Sequence, residues 1–182
     1  MSKPTSGFLF SLMAFEFKIR DFFRPRKYIL QEVGIKPGFK VLDFGCGPGG
    51  YIIATARLIG KSGVIYAVDI NSVAIKMVKN IANKEHLENV TTIVSDCKTG
   101  LPDNSVDVVL LYDILHDLGD PECVLEELQR VLKPDGVLSV SDHHLKGNEI
   151  ESKVTNKGLF IPAKKGAKTY SFSVEQTKTL QL

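Results

Sequence analysis

Val41-Leu42-Asp43-Phe44-Gly45-Cys46-Gly47-Pro48-Gly49-Gly50 is the stretch that decides the fold of this chain. A short apolar run ends in an aspartate, a glycine-rich turn follows, and a helical pattern opens over residues 51–59. A strand, such a turn and a helix start let backbone come close to a ligand, because glycine has no Cβ in the way. The distinctive residue is the acid two positions before the first glycine. Glycine turns of this kind usually serve phosphates, and here a carboxylate stands where a phosphate would be repelled.

Working outward, β-prone apolar runs recur at residues 40–44, 64–68, 90–94, 106–111 and 137–140. Helical spacing separates most of them, clearest in Ala74, Met77, Val78, Ile81 and in Val124, Leu125, Leu128, Val131, Leu132. Lys133-Pro134-Asp135-Gly136 is expected to stop the second of these helices, and residues 95–104 show no helical period. Upstream, Arg24-Pro25 can start a helix that Gly34 ends, and Lys36-Pro37-Gly38 is a turn. Strands that are apolar on both faces and alternate with helices predict a parallel sheet covered on both sides. The rhythm breaks at the end, where residues 158–163 and 169–174 flank a lysine-rich turn and predict a hairpin whose last strand is antiparallel. The lysines read as a solvated turn, and residues 175–182 as a frayed tail.

A length of 182 residues suits one well-buried core rather than two ordinary domains. Hydrophobic residues at 43% and charged residues at 24% are those of a soluble globular protein. A formal net charge of +2 gives no reason to expect nucleic acid as a partner. Cys46, Cys97 and Cys123 are odd in number and widely spaced, which argues against a disulfide framework and for a reducing, cytoplasmic location.

Residues 7–17 are apolar but too short for a transmembrane segment, and charges follow at once. Phe8, Leu12, Phe15, Ile19 and Phe22 fall on one helical stripe. The expectation is a helical extension over residues 1–23 that packs on the core or covers a cleft. Self-association into a homodimer through this apolar face, or interfacial contact with a membrane, is the competing reading.

Asp43, Asp69 and Asp96 each stand at or just past the end of one of the first three strands, where a parallel sheet has its ligand crevice. One such acid alone would read as a cap or turn residue; three with a glycine turn read as a site. Gly45, Gly47 and Gly50 also satisfy the dinucleotide spacing, with Asp69 near the place of a ribose acid, so a nicotinamide-dependent oxidoreductase is an alternative. Electrostatics weighs against it. A carboxylate ~5 Å from a phosphate charge at an effective dielectric of ~20 costs on the order of 3 kcal/mol, and an ammonium or sulfonium gains a similar amount before desolvation. Pro48 also removes one amide an anion would use.

Residues 41–50, Val68-Asp69-Ile70, Ser95-Asp96-Cys97, residues 107–116 and residues 130–141 together resemble class I S-adenosylmethionine-dependent methyltransferases. They look closest to the group that includes the ubiquinone and menaquinone C-methyltransferases. The resemblance covers roughly residues 36–142 and implies a three-layer α/β/α Rossmann-like domain over residues 24–174. Its sheet would have seven strands, mostly parallel, with one antiparallel strand in the C-terminal hairpin. It also implies S-adenosylmethionine as cofactor and a small-molecule acceptor. Gly45, Cys46 and Gly47 would pass beneath the methionine part, with Asp43 near its ammonium. Asp69 would accept the ribose hydroxyls, Ile70 would cover the adenine, Asp96 would accept from its amino group, and Cys97 would lie beside the ring. Tyr112 would close the pocket near the methyl group.

Displacement at an activated methyl needs distance, orientation and dryness first, and a base only if the acceptor loses a proton. The resemblance places residues 112–118 against the acceptor, with His116 as the candidate base; a histidine tied to nearby backbone is the competing reading. Asp142-His143-His144 could line the acceptor pocket, bind a metal together with Asp113, or simply be a polar loop. A non-catalytic S-adenosylmethionine-binding subunit is the remaining alternative. With no long insertion to act as a lid, residues 1–23 are expected to wall the acceptor site. Deleting them should raise the acceptor KM or abolish turnover while sparing cofactor binding, and unchanged kinetics would exclude that role.

Overall fold

The computed structural model describes residues 26–175. The expected extension over residues 1–23, with its self-association face, and the tail over 176–182 lie outside the described residues. Glu175, placed in the tail by the sequence reading, donates its amide to Leu159 O at 2.9 Å and closes the hairpin end.

The elements in chain order are α1 (Arg26–Val33), β1 (Lys40–Phe44), α2 (Ile52–Ile59), β2 (Val64–Asp69), α3 (Ser72–Lys84), β3 (Val90–Val94) and β4 (Val106–Tyr112). Then follow α4 (Pro121–Val131), β5 (Leu132–Ser141), α5 (Gly147–Thr155), β6 (Phe160–Lys165) and β7 (Tyr170–Val174). They build one seven-stranded sheet in the order β3-β2-β1-β4-β5-β7-β6. Strands β1 to β5 pair parallel, and β7 runs antiparallel between β5 and β6, the strand the hairpin signal indicated.

Period-two alternation sends each central strand into two cores. Val41, Val108, Leu110 and Tyr112 pack with Leu30 of α1, Ile52 and Ile59 of α2, and Ile75 and Val78 of α3. Leu42, Val109, Leu111 and Val140 pack on the other face with Val124, Leu125 and Leu128 of α4 and Ile150 and Val154 of α5. The helices therefore form two layers around the sheet. The strand order reverses between β1 and β4, so the carboxyl ends of those strands flank a crevice.

Three local readings needed revision. Helix α4 ends at Val131, just before Lys133-Pro134-Asp135-Gly136 as expected, but that segment is no turn: it is the out-of-register part of β5, since Val106 pairs with Leu132 and Val108 with Val137. Helix α5 carries only Ile150 and Val154 as buried apolar residues, too few to show a period, and Glu149 starts it by accepting the Lys146 amide at 2.7 Å. Cys97 and Cys123 form a disulfide across 26 positions. The odd cysteine count hid this pair because folding brings the segment after β3 to the first turn of α4. Cys46 is the free, buried thiol, and the cysteines no longer argue for a reducing compartment.

The segment after β3 lacks helix and strand but is firmly tied to α4. Glu127, buried in α4, accepts the Thr99 amide at 2.8 Å and the Thr99 hydroxyl at 2.6 Å. It also accepts Arg130 Nη2 at 2.7 Å, and the same Arg130 nitrogen donates to Leu101 O at 2.9 Å. Burial alone would raise the Glu127 pKa, but the Arg130 and Thr99 hydrogen bonds outweigh it and bring the value down to about 2. Its stabilisation is thus complete above the unfolded carboxyl value and is lost as pH falls toward about 2. Glu127→Ala should cost about 3–5 kcal/mol by stranding buried donors, and Glu127→Gln clearly less, as read by urea denaturation at neutral pH. Equal losses would mean that the hydrogen bonds to Thr99 contribute nothing.

Candidate functional site

The turn after β1 is held by its neighbour strand. Gly45 N and Cys46 N both donate to Val68 O, at 2.8 and 2.9 Å. Gly47 N donates to Asp69 Oδ2 at 2.8 Å, and Gly49 N to Cys46 O at 3.0 Å. Pro48 has no donor. The amides of residues 45–47 and 49 are therefore committed within the protein. Gly45 needs its freedom twice: its φ is +74°, and a Cβ would press Ile114 Cγ1 at 2.8 Å. Above Gly47 (φ +53°) a Cβ would meet nothing within 4 Å, which marks the open side of the turn.

Asp69 ends β2 and holds two loops at once. Its Oδ2 takes the Gly47 amide and its Oδ1 the Asn71 amide at 2.8 Å, while Asn71 caps α3 by accepting Val73 N at 2.9 Å. Burial lifts the Asp69 pKa above the ordinary carboxylate value despite these two amides. Two of its roughly four acceptor positions remain, the number a pair of vicinal hydroxyls requires. Next to it Ile70 is 51% exposed, an isolated apolar side chain on the crevice rim. Asp96 is exposed as well, past the end of β3. Cys97 is buried and, being half of the disulfide, is held in place rather than merely small.

Asp43 shares the face of Val41 and so points into the α1–α2 core, where it is 2% exposed. Its Oδ2 has no hydrogen bond. Burial pushes its pKa up to about 7, against the pull of Arg26 and with a further push from Asp69. Tyr112 lies beneath, buried, with its hydroxyl 2.8 Å from Ser139 Oγ and its ring 4.9 Å from that of Tyr51. It forms a floor to this half of the crevice. Arg26, which sequence reasoning passed over, arrives from α1 with its guanidinium 4.3 Å above the Tyr51 ring.

The ends of β4 and β5 carry the second half. Asp142 is buried and accepts the His116 amide at 3.1 Å, the His144 amide at 2.9 Å and His116 Nδ1 at 2.8 Å. Burial would raise the Asp142 pKa, but these hydrogen bonds outweigh it and hold it below the usual carboxylate value. An ionised Asp142 assigns the His116 proton to Nδ1 and leaves Nε2 as an acceptor. Asp113, at φ +56°, receives His143 Nδ1 at 2.8 Å. The His144 ring lies 4.2 Å from that of His116 and 4.0 Å from that of His143.

The loops after β4 and β5 thus form one cluster, joined to the glycine turn through Ile114. Asp113, Asp142 and His143 each place a ligand atom within 4.8 Å of the others, the donor set weighed for a metal. Asp142 already receives three N–H groups, so a hydrogen-bonded histidine–aspartate array describes it better.

In the ligand-free protein the folded state keeps an Asp43 proton that the unfolded chain gives up near pH 4. That contribution is full at low pH and is lost as pH rises through about 7. Asp43→Asn should therefore match wild type near pH ~4 and exceed it near pH ~8 by up to roughly 4 kcal/mol. Urea denaturation at the two pH values reads this, and a pH-independent difference would rule it out.

Residues 35–179 match the family model described as a methyltransferase domain. Over 131 residues the chain is 30% identical to the ubiquinone/menaquinone biosynthesis C-methyltransferase UbiE of Shewanella baltica, covering 71% of this chain and 52% of that protein. It is 31% identical over 114 residues to the demethylmenaquinone methyltransferase of Staphylococcus aureus, covering 62% and 46%. The chain thus spans about half the length of these curated relatives. Among solved structures, a SAM-dependent methyltransferase from Aquifex aeolicus superposes with a TM-score of 0.72 at 26% identity, covering 86% of this chain and 96% of that one. The [4+2]-cyclase SpnF also superposes, with a TM-score of 0.58 at 26% identity, covering 64% and 43%.

Proposed function

The chain belongs to the methyltransferase-domain family, and on that premise we propose that it transfers the methyl group of S-adenosylmethionine to a small-molecule acceptor. The observation that carries this reading is the buried Asp43 carboxyl, whose Oδ2 has no hydrogen bond, beside a glycine turn whose amides at residues 45–47 and 49 are already spent. Such a turn suits a cofactor with a positively charged end and no phosphate. It disfavours the nicotinamide reading more strongly than charge alone did.

Asp43 faces the cofactor's ammonium, and residues 45–47 support its methionine part. Asp69 takes the ribose hydroxyls with its two remaining acceptor positions, Ile70 covers the adenine, and Asp96 accepts from the adenine amino group. Cys97, pinned by the disulfide, fixes the wall beside the ring, and Tyr112 supplies the floor. The acceptor lies on the β4–β5 side. There His116 Nε2 takes a proton from the acceptor as the acceptor's electron pair attacks the methyl carbon. The carbon–sulfur bond breaks with its electrons passing to sulfur, leaving the neutral thioether. Asp142 holds the imidazole in the required tautomer and faces the charge that forms on the ring.

One curated relative is named as a C-methyltransferase of ubiquinone and menaquinone biosynthesis and the other as a methyltransferase of demethylmenaquinone, so a demethylated quinol is the first acceptor to test. A cytoplasmic location is kept as part of this proposal. Among the described residues no helix is long and apolar enough to cross a membrane.

Methyl-labelled S-adenosylmethionine should pass label into demethylmenaquinol or into a component of a metabolite extract. His116→Asn should lower kcat by about 10²-fold or more with cofactor affinity unchanged. Cofactor binding without transfer to any component would favour the non-catalytic subunit, and a lack of cofactor binding would end the reading altogether. SpnF, named for a cyclisation, makes this control necessary: the fold alone does not specify the reaction.

A further inference from the structure

The Cys97–Cys123 disulfide joins segments that serve different halves of the crevice. Cys97 follows Asp96 in the segment after β3, and Cys123 lies in the first turn of α4, a short way past His116. Asp120 fixes that turn by accepting the Cys123 amide at 2.9 Å. Cys97 belongs to the same buried cluster as Val68, Leu111 and Leu115, and Cys123 is partly buried against it. Their Cα atoms are 6.2 Å apart. Both residues are thus held by packing as well as by the bond, and an opened pair stays positioned to close again.

Residues 95–98 have few other anchors. Ser95 N donates to Asp69 O at 3.1 Å, and Cys97 N donates within the segment to Ser95 Oγ at 3.2 Å. Lys98 Nζ reaches Glu127 Oε2 at 3.5 Å, but its side chain is 69% exposed and such a pair holds weakly. From Thr99 onward the Glu127 and Arg130 hydrogen bonds take over. Asp96 is therefore fixed on one side by the end of β3 and on the other by the disulfide. Opening the bond frees the second side and returns conformational freedom to the segment, while residues 99–101 stay tied to α4. The change is local.

Exposure decides where a reductant enters. Cys97 is only 9% exposed, whereas Cys123 is partly open to solvent. A thiolate of a dithiol reductant attacks the Cys123 sulfur, and the electrons of the disulfide bond pass to the Cys97 sulfur, which takes a proton. The second thiolate of the reductant then displaces Cys123, which is protonated in turn, and the reductant leaves as a disulfide. Two electrons enter the protein, and a disulfide oxidant reverses the exchange. Cys46 does not compete. Burial, with Asp43 and Asp69 adding to it, pushes its thiol far above the ordinary value, and it lies in the opposite core layer.

We propose that Cys97 and Cys123 form a reversible redox site that controls cofactor binding. Closed, the bond holds Asp96 and the wall beside the adenine in place; open, residues 95–98 loosen and the cofactor binds less tightly. This rests on the function proposed above. In the cytoplasmic location proposed with it, a disulfide is of the kind that opens and closes in use.

The full chain equilibrated at graded ratios of reduced to oxidised dithiothreitol tests this. Mass spectrometry after alkylation of the denatured chain should count one free thiol in the closed form and three in the open form. Calorimetry should show the closed form binding S-adenosylmethionine roughly 10-fold more tightly, an ordinary size for coupling between two sites. By reciprocity, saturating S-adenosylmethionine should raise the dithiothreitol ratio needed for half opening by the same factor. Hydrogen exchange should quicken at residues 96–98 on opening and stay unchanged at Thr99. Cys123→Ser should bind like the open form at every ratio. Equal binding by open and closed wild type would overturn the proposal, as would closed-form affinity in Cys123→Ser. Loss of the circular dichroism signal on opening would make the bond a structural staple and overturn it as well. Binding by neither form would overturn the proposed function and this proposal with it, a result distinct from equal binding by both.

Discussion

The site depends first on the Asp69 carboxylate, which ties the turn after β1 to the start of α3. One oxygen holds Gly47 and the other Asn71, so a single side chain sets the relative position of two loops that otherwise share only strand pairing. Val68 O adds two more bonds from the same turn. The consequence is a pre-formed shape: the glycine turn is closed by its own neighbour before any ligand arrives, and binding need not order it. A turn built this way withholds the amides of residues 45–47 and 49 from an anion, and side chains carry more of the selectivity.

Those side chains are buried because of sheet geometry. Alternation along β1 places Val41 and Asp43 on one face and Leu42 and Phe44 on the other. Asp43 is thereby directed into the α1–α2 layer, where water is scarce and its charge is expensive. The same layer brings in Arg26, Tyr51 and Tyr112, so the environment that penalises the carboxylate also supplies a counter-charge and a polarisable wall. A pKa of about 7 for Asp43 reflects that balance, burial raising it and Arg26 pulling it back.

Periodicity made the sheet legible, because strands buried on both faces and helices with one stripe leave strong and different patterns. The three strand-end acids were legible too, since strand order alone brings their positions to one edge. What escaped the sequence reading depends on contacts between distant segments. Arg26 has no local signal, and its only trace is that Gly50 stays small without a backbone reason. The Cys97–Cys123 bond joins a loop to a helix start that only the folded sheet brings together. Helix α5 was missed for a different reason: two buried residues four apart are too weak a pattern to separate from loop. His116 and Asp142 were each singled out, but their pairing follows from β4 and β5 lying side by side.

The two halves of the crevice differ in how much they constrain function. On the β1–β2 side Asp43 is buried with an oxygen free of hydrogen bonds and the half-buried Asp69 is held by two backbone amides, so a ligand must match them in charge as well as shape. On the β4–β5 side the Asp142 carboxylate is buried, but the His143 side chain is 58% exposed and that of His116 29%, so the surface there can meet varied acceptors while one imidazole stays fixed in orientation. An exposed histidine rim over a rigid aspartate is compatible with proton removal from many kinds of acceptor. The β1–β2 half is therefore the part of this chain from which identity can be argued residue by residue. Under the function proposed above, the β4–β5 half specifies a chemistry, proton removal beside a transferred methyl, before it specifies a molecule.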